Sequence, residues 1–259
     1  MFFPCDSEQL IFAVIVLVAL YVFILNLIKL KYLFKAEFSH NECEKHYYKG
    51  LYRETSWFRL EWNLPASNRI REIACHRWGW AIPTASAIST IIQAAKDDNC
   101  SCIIDYGAGR GYWSHLLARQ APASFSIIAM DANPAWYIGE SHYPLKAGGI
   151  GAYGARRDGP ERVDPADERA ARQCLGRPMA LLLMVWPPCW SPMAADALDA
   201  FAGPTLVYVG EPAGGRTASA AFFQRLDSGW RLQRRVALPN WSGCADALYL
   251  FSRRGQPDS

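Results

Sequence analysis

The sequence lacks a surplus of either charge. Its 27 lysines and arginines stand against 24 aspartates and glutamates, dispersed among one another, so no polyanion-binding stripe and no nucleic-acid partner are predicted. It also lacks any Cys-x-x-Cys pair. Cys100 and Cys102 are one residue apart, and the eight cysteines have the spacing of neither a tetrahedral zinc site nor a disulfide framework. They read as small buried hydrophobes in a reducing compartment. The histidines, His76, His115 and His142 among them, are scattered, and no metal is predicted. No internal repeat is evident, which excludes a solenoid. Nor is the composition that of a disordered chain: 51% hydrophobic and 20% charged residues suffice for one sizeable core with an appendage.

What is present begins with an apolar run. From Leu10 to Ile28 only Asn26 interrupts it, and a helix of that length at about 1.5 Å per residue matches the roughly 30 Å hydrocarbon layer. Asp6 and Glu8 precede the run while Lys29, Lys31 and Lys35 follow it, the reverse of the basic start that a cleaved signal peptide needs. Residues 10–29 are therefore predicted to be an uncleaved single-pass span behind a short stub at 1–9. The lysines place the following domain on the cytosolic side and the N-terminus outside or in a lumen. Tyr32 and Phe34 stand where an interfacial aromatic belt is expected. Residues 30–78 form a juxtamembrane segment of charges and aromatics (Tyr47, Tyr48, Tyr52, Trp57, Phe58, Trp62 and Trp78) whose role is not readable. Residues 79–254 form the globular domain, and 255–259 a tail.

Within that domain short apolar runs alternate with helical stretches, the pattern of a mainly parallel sheet covered by helices. Helices are predicted over Pro83 to Lys96, Tyr112 to Gln120, Pro165 to Cys174, Pro192 to Phe201 and Thr217 to Leu226. Strands are predicted over Cys102 to Tyr106, Ser126 to Asp131, Ala180 to Trp186 and Thr205 to Gly210, with a third strand placed near Gly151 to Ala155. Two final strands, Trp230 to Leu238 and Ala245 to Ser252, have no helix between them and should pair antiparallel at the sheet edge. The Gly-, Arg-, Asp- and Pro-rich stretch from Lys146 to Pro178 is where a mobile loop is expected.

The most informative segment is Ile103-Ile104-Asp105-Tyr106-Gly107-Ala108-Gly109-Arg110-Gly111-Tyr112-Trp113: an apolar strand, an acid, three glycines at alternate positions, then a helix. Glycine suits a sharp strand-to-helix turn whose backbone a ligand must approach. The helix N-terminus beyond it can receive an anion. One strand later, Ile127-Ile128-Ala129-Met130-Asp131 ends in an acid about 20 residues on, where such folds set a carboxylate on ribose hydroxyls. An acid in that position is also a routine turn former. A dinucleotide fingerprint would require glycine where Tyr112 stands, which disfavours a nucleotide-dependent oxidoreductase.

This segment resembles motif I of the class I S-adenosylmethionine-dependent methyltransferases. The resemblance covers about Trp78 to Arg254. It implies a Rossmann-like, doubly wound sheet ending in an antiparallel pair, with S-adenosylmethionine as cofactor. It also implies a cofactor site of Asp105, Gly107, Gly109, Gly111, Tyr112, Trp113 and Asp131. Upstream, Trp78-Gly79-Trp80-Ala81-Ile82-Pro83 resembles a segment that packs beside the cofactor in some such proteins, with Trp80 and Ile82 as candidate contacts. Aromatic core beneath a connecting loop is the other reading of those residues.

After the fourth main strand comes Trp186-Pro187-Pro188-Cys189-Trp190. Amino-directed methyltransferases carry there an Asn or Asp, two prolines and an aromatic; only the prolines match. Trp186 and Pro187 are expected as an aromatic, rigid pocket wall on the cofactor. After the fifth main strand Glu211 heads a Gly-rich loop, and it reads either as a base that orients substrate or as a cap for the next helix. Cys189 has no evident base partner. The expectation is a membrane-anchored methyltransferase of unknown small-molecule, lipid or protein substrate. The rival is a tethered binding module that keeps the fold without turnover.

Overall fold

The computed structural model describes residues 21, 75, 78–132, 141–150, 152–156, 159–162, 165–241 and 243–255. The chain divides into two compact units, Met1–Tyr47 and Tyr48–Ser259. Of the first only the helical residue Tyr21 is described. Apart from Tyr21, the span expected at 10–29 thus lies outside the described residues, as does nearly all of 30–78. No helix among the described residues is long and apolar enough to cross a membrane.

In the second unit the elements run α1 (Ala85–Asp97), β1 (Cys102–Tyr106), α2 (Tyr112–Gln120), β2 (Ser126–Asp131), β3 (Leu145–Ala147), β4 (Ala152–Arg156), β5 (Gly159–Arg162), α3 (Pro165–Leu175), β6 (Ala180–Val185), α4 (Met193–Ala200), β7 (Thr205–Gly210), α5 (Ala220–Gly229), β8 (Trp230–Ala237) and β9 (Ala247–Arg253). Helix starts follow local chemistry. Thr84 caps α1, its hydroxyl accepting from the Ala87 N–H at 3.1 Å, and Ser219 caps α5 in the same way through Phe222. Helix α2 has no side-chain cap and starts from Gly111 in the left-handed region.

Seven strands form one sheet in the order β3-β2-β1-β6-β7-β9-β8. All neighbours are parallel except β9, which runs against both β7 and β8. Strands β1, β6 and β7 are almost wholly buried and apolar, as strands covered on both faces must be. Alternation assigns the faces. Cys102, Ile104 and Tyr106 of β1 join residues of β6, β7, α3, α4 and α5 in one core, while Asp105 points the other way and meets Ser114 of α2.

This is the doubly wound sheet ending in an antiparallel pair that the glycine motif implied. One strand is corrected. The third strand of the sheet is Leu145–Ala147, not the segment near Gly151; Ala152–Arg156 pairs only with Gly159–Arg162 in a separate antiparallel ribbon. A three-residue edge strand with two exposed side chains offers no periodicity to read.

The core hinges on α5. Phe222 is fully buried and its ring lies 5.1 Å from Tyr208 of β7. Phe222→Ala is expected to cost about 3–5 kcal/mol in denaturant unfolding, whereas Leu232→Ala, at a β8 side chain 51% exposed, should stay within about 0.5 kcal/mol.

Candidate functional site

The chain steps outward from β1 to β2 and β3, then returns to place β6 on the other side of β1. Between β1 and β6 the strand order reverses, and in open α/β sheets the crevice beyond the carboxyl ends at such a point receives ligands. Three of the expected segments converge there: Asp105 with its glycines, Asp131 at the end of β2, and Trp186-Pro187 after β6.

All three glycines occupy the left-handed region, with φ of 74° at Gly107, 59° at Gly109 and 73° at Gly111. L-residues pay about 1–2 kcal/mol to enter it, so the pattern is a backbone requirement. Packing adds to it from the protein side. A Cβ on Gly107 would stand 2.8 Å from the Met193 methyl, and one on Gly111 would stand 3.0 Å from Tyr143 Cβ. The three glycines are thus demanded by conformation, and Gly111 also by packing against Tyr143, whereas at Gly107 only the flexible end of Met193 would have to move. The loop is held by hydrogen bonds: the N–H groups of Gly107 and Ala108 donate to the Met130 carbonyl at 2.9 and 3.0 Å, and that of Gly109 donates to Asp131 Oδ2 at 2.9 Å.

The two acids share one corner. Asp105 is buried and accepts from the Ser114 hydroxyl at 2.7 Å through Oδ2, while its Oδ1 has no hydrogen-bond partner among the described residues. Burial pushes its carboxyl up to about 7; the Ser114 hydrogen bond pulls it back, and the charge of Asp131 pushes it up further. An orphaned, buried carboxylate oxygen is costly, and such a group asks for a partner. A cationic or hydroxyl-bearing ligand supplies one. Asp131 itself is buried beside the loop. Tyr112 and Trp113 are buried in the first turn of α2, the former edge-on to His142 with ring centroids 5.1 Å apart.

An aromatic wall closes the other side. Trp80 and Trp186 stack with centroids 5.0 Å apart and planes 14° from parallel. Trp186 has φ of 54°, a strained value for a bulky residue. It is held through its indole N–H, which donates to Asp246 at 2.8 Å, and its main-chain N–H, which donates to Val209 O at 2.8 Å. Trp241 donates from its indole to the Trp80 carbonyl at 3.1 Å, and Trp113 does so to the Ala81 carbonyl at 3.4 Å, tying the wall to the start of α2. Ile82 is buried, and Pro187 accepts from the Ala218 N–H at 2.7 Å.

No protein-family model matches the chain, and no curated protein does. Solved structures similar to it include several methyltransferases. They include a SAM-dependent methyltransferase from Aquifex aeolicus (13% identity, TM-score 0.39, covering 64% of this chain and 89% of that one). Magnesium protoporphyrin IX methyltransferase from Synechocystis with bound SAM gives 12% identity and a TM-score of 0.41 over 76% and 89% of the two chains. A putative O-methyltransferase from Klebsiella pneumoniae gives 12% and 0.41 over 80% and 99%. The likeness is one of fold and is slight; strand order and site geometry carry the functional reading.

Glu211 heads the loop after β7. Buried after β7, its Oε1 accepts from Arg216 Nη2 at 3.0 Å and the Ala245 N–H at 3.2 Å, and its Oε2 accepts from the Arg216 N–H at 2.6 Å. Burial pushes its carboxyl up, but the Arg216 side chain and the main-chain N–H groups outweigh this and hold it below its ordinary value. Glu211 therefore anchors its own loop. The neighbouring helix begins at Ala220 and is capped by Ser219, so Glu211 does not cap it. Sequence reasoning missed Ser114, Met193, Tyr143, Trp241 and Asp246. Only Asp246, a lone acid entering an apolar strand, left a signal.

Asp105 generates a pH dependence of defined sign. The unfolded chain releases this proton near the ordinary carboxylate range, the folded chain only near 7, so stability falls as pH rises between the two. In thermal melts without ligand, the wild type should lose about 5 °C or more between roughly pH 5 and 7.5 relative to Asp105→Asn, which keeps a partner for Ser114 but cannot ionise.

Proposed function

We propose that the chain is a class I S-adenosylmethionine-dependent methyltransferase, tethered to a membrane through residues 10–29 with its domain on the cytosolic face. The observation that carries the reading is the corner at the switch point. There, three left-handed glycines, the buried Asp105 with an orphaned oxygen and the Asp131 carboxylate meet beside the start of α2. These residues suit the cofactor. Asp131 offers a carboxylate to ribose hydroxyls, Asp105 an acceptor to an ammonium group, and the N-terminus of α2, which has no side-chain cap, a favourable end for a carboxylate. When bound, S-adenosylmethionine supplies a methyl group on a sulfonium, already a strong electrophile.

What the chain contributes is position. The glycine loop fixes where a nucleoside lies, the Trp80–Trp186 stack offers it an aromatic side, and Pro187 and Pro188 stiffen the turn that carries Trp186. One observation favours the second reading, a tethered binding module without turnover: Glu211, the acid that follows β7, is engaged by Arg216 and Ala245. Turnover on a membrane extract separates the two. The tether rests on the apolar run and the lysines behind it.

Calorimetry with S-adenosylhomocysteine tests the cofactor site. The wild type should bind, and Asp131→Ala should weaken binding about tenfold or more, the worth of hydrogen bonds to a charged group; a wild type that does not bind refutes the reading. For the tether, the full chain should stay in the membrane pellet after alkaline carbonate extraction, and a chain lacking residues 1–35 should be released.

A further inference from the structure

We propose that the edge of the sheet formed by β8 and the end of β9 is a docking surface for an anionic membrane, whose lipid phosphates its arginines take while Leu232 enters the headgroup layer. The cofactor site plays no part in this inference; the choice of a membrane rests on the tether proposed above.

Folding gathers charge that the sequence as a whole disperses. From Trp230 to Gly255 there are five arginines and a single acid, Asp246, and that acid is buried at the Trp186 indole. The antiparallel register brings the arginines of the two strands onto one hairpin: Arg231 stands beside Ser252, Arg234 beside Leu250, Arg235 beside Tyr249 and Arg253 beside Trp230. Arg231, Arg234, Arg235 and Arg254 are exposed, and the three on β8 span about 13 Å of strand. The ion pairs among the described residues, Glu168–Arg172, Glu211–Arg216 and Asp199–Arg225, include neither Arg234 nor Arg235.

Charge on an edge strand also keeps other strands from pairing with it. That purpose does not account for Leu232, which is 51% exposed in the same run as these arginines and works against it. An exposed leucine among arginines is the composition of surfaces that lie on a bilayer, where the apolar side chain enters the interface and the cations stay at the phosphates. The same features count against other anionic partners. Single-stranded nucleic acid is gripped by aromatic platforms as well as by cations, but here Trp230 is buried and Tyr249 lies beneath the Arg235 guanidinium, 5.8 Å from its ring centroid. An acidic peptide added as a further strand needs a regular edge, and the register of β8 shifts between Leu232 and Arg234.

The cytosolic leaflet carries the negative lipids, and each arginine brought near such a surface strengthens attachment about fivefold. Three on one strand multiply to about a hundredfold, ample for a domain that a tether already keeps close. Strand β8 also runs into the loop that carries Trp241 and Asp246, so the docking edge and the aromatic wall of the site belong to one hairpin.

The test uses the full chain reconstituted into vesicles of phosphatidylcholine alone or mixed with phosphatidylserine, with hydrogen exchange read on residues 230–237. On the mixed vesicles this segment should exchange about threefold or more slowly than on the neutral ones, and high salt should remove the difference. Arg234→Gln with Arg235→Gln should remove it too, Arg234→Lys with Arg235→Lys should keep most of it, and Leu232→Ala should reduce it. Equal exchange on the two vesicles overturns the inference and leaves the tether and the methyltransferase reading standing; so does slowing that survives the glutamine pair. A single-stranded RNA oligonucleotide or a glutamate-rich peptide that slows this segment where the mixed vesicles do not assigns the edge to that partner and overturns it as well. A chain that alkaline carbonate releases, yet whose segment slows on the mixed vesicles, refutes the tether and supports the docking edge.

Discussion

One hydrogen bond organises the site: the Gly109 N–H held by the Asp131 carboxylate at 2.9 Å. Parallel register makes it possible. Tyr106 of β1 stands beside Met130 of β2, so the residue after Met130 ends its strand level with the loop that leaves β1. The Met130 carbonyl takes two of the loop's N–H groups, and Asp131 takes a third across the bend. Three left-handed residues in five positions are unfavourable for a free chain, and these acceptors make them the ground state. The direction of α2 follows from that bend, and with it the Ser114 hydroxyl that holds Asp105.

A consequence is the proximity of two carboxylates in a buried corner. Burial disfavours the charge of Asp105, and the charge of Asp131 adds to the effect. On the surface Asp199 is paired with Arg225 and Glu168 with Arg172. A buried carboxyl raised by desolvation beside a second acid at a topological switch point marks a place shaped for something other than stability.

How much of this was legible in the sequence depends on how local each feature is. The glycine turn, Asp105 and Asp131 were readable because strand, turn and helix follow one another within thirty residues, and the central strands because burial on both faces makes them uniformly apolar. The antiparallel end of the sheet followed from two strands with no helix between them. Features that depend on distant chain were not readable. Leu145–Ala147 is a strand only because β2 is beside it, Met193 touches Gly107 across the sheet end, and Trp241 and Asp246 reach the aromatic wall from a loop 161 and 60 residues away from their partners. The surroundings of Glu211 were unreadable for the same reason. Its position after β7 suggested a base, but Ala245, from far along the chain, and Arg216 occupy its oxygens.

That last loop, between β8 and β9, deserves its place beside the glycine turn. Its residues bind three separate segments: Trp241 the Trp80 carbonyl, Asp246 the Trp186 indole, and Ala245 with Gly243 the Glu211–Arg216 pair. A wall assembled from four loops would ordinarily be the least ordered part of an α/β fold. Here each loop is pinned by a side chain of another, and two non-glycine residues, Trp186 and Ala218, are kept in the left-handed region as a result. Glu211, Arg216 and the Oδ1 atom of Asp246 are engaged in holding the wall together, and the wall presents shape and aromatic surface. For a reaction whose electrophile needs no further activation, position is the contribution that matters most.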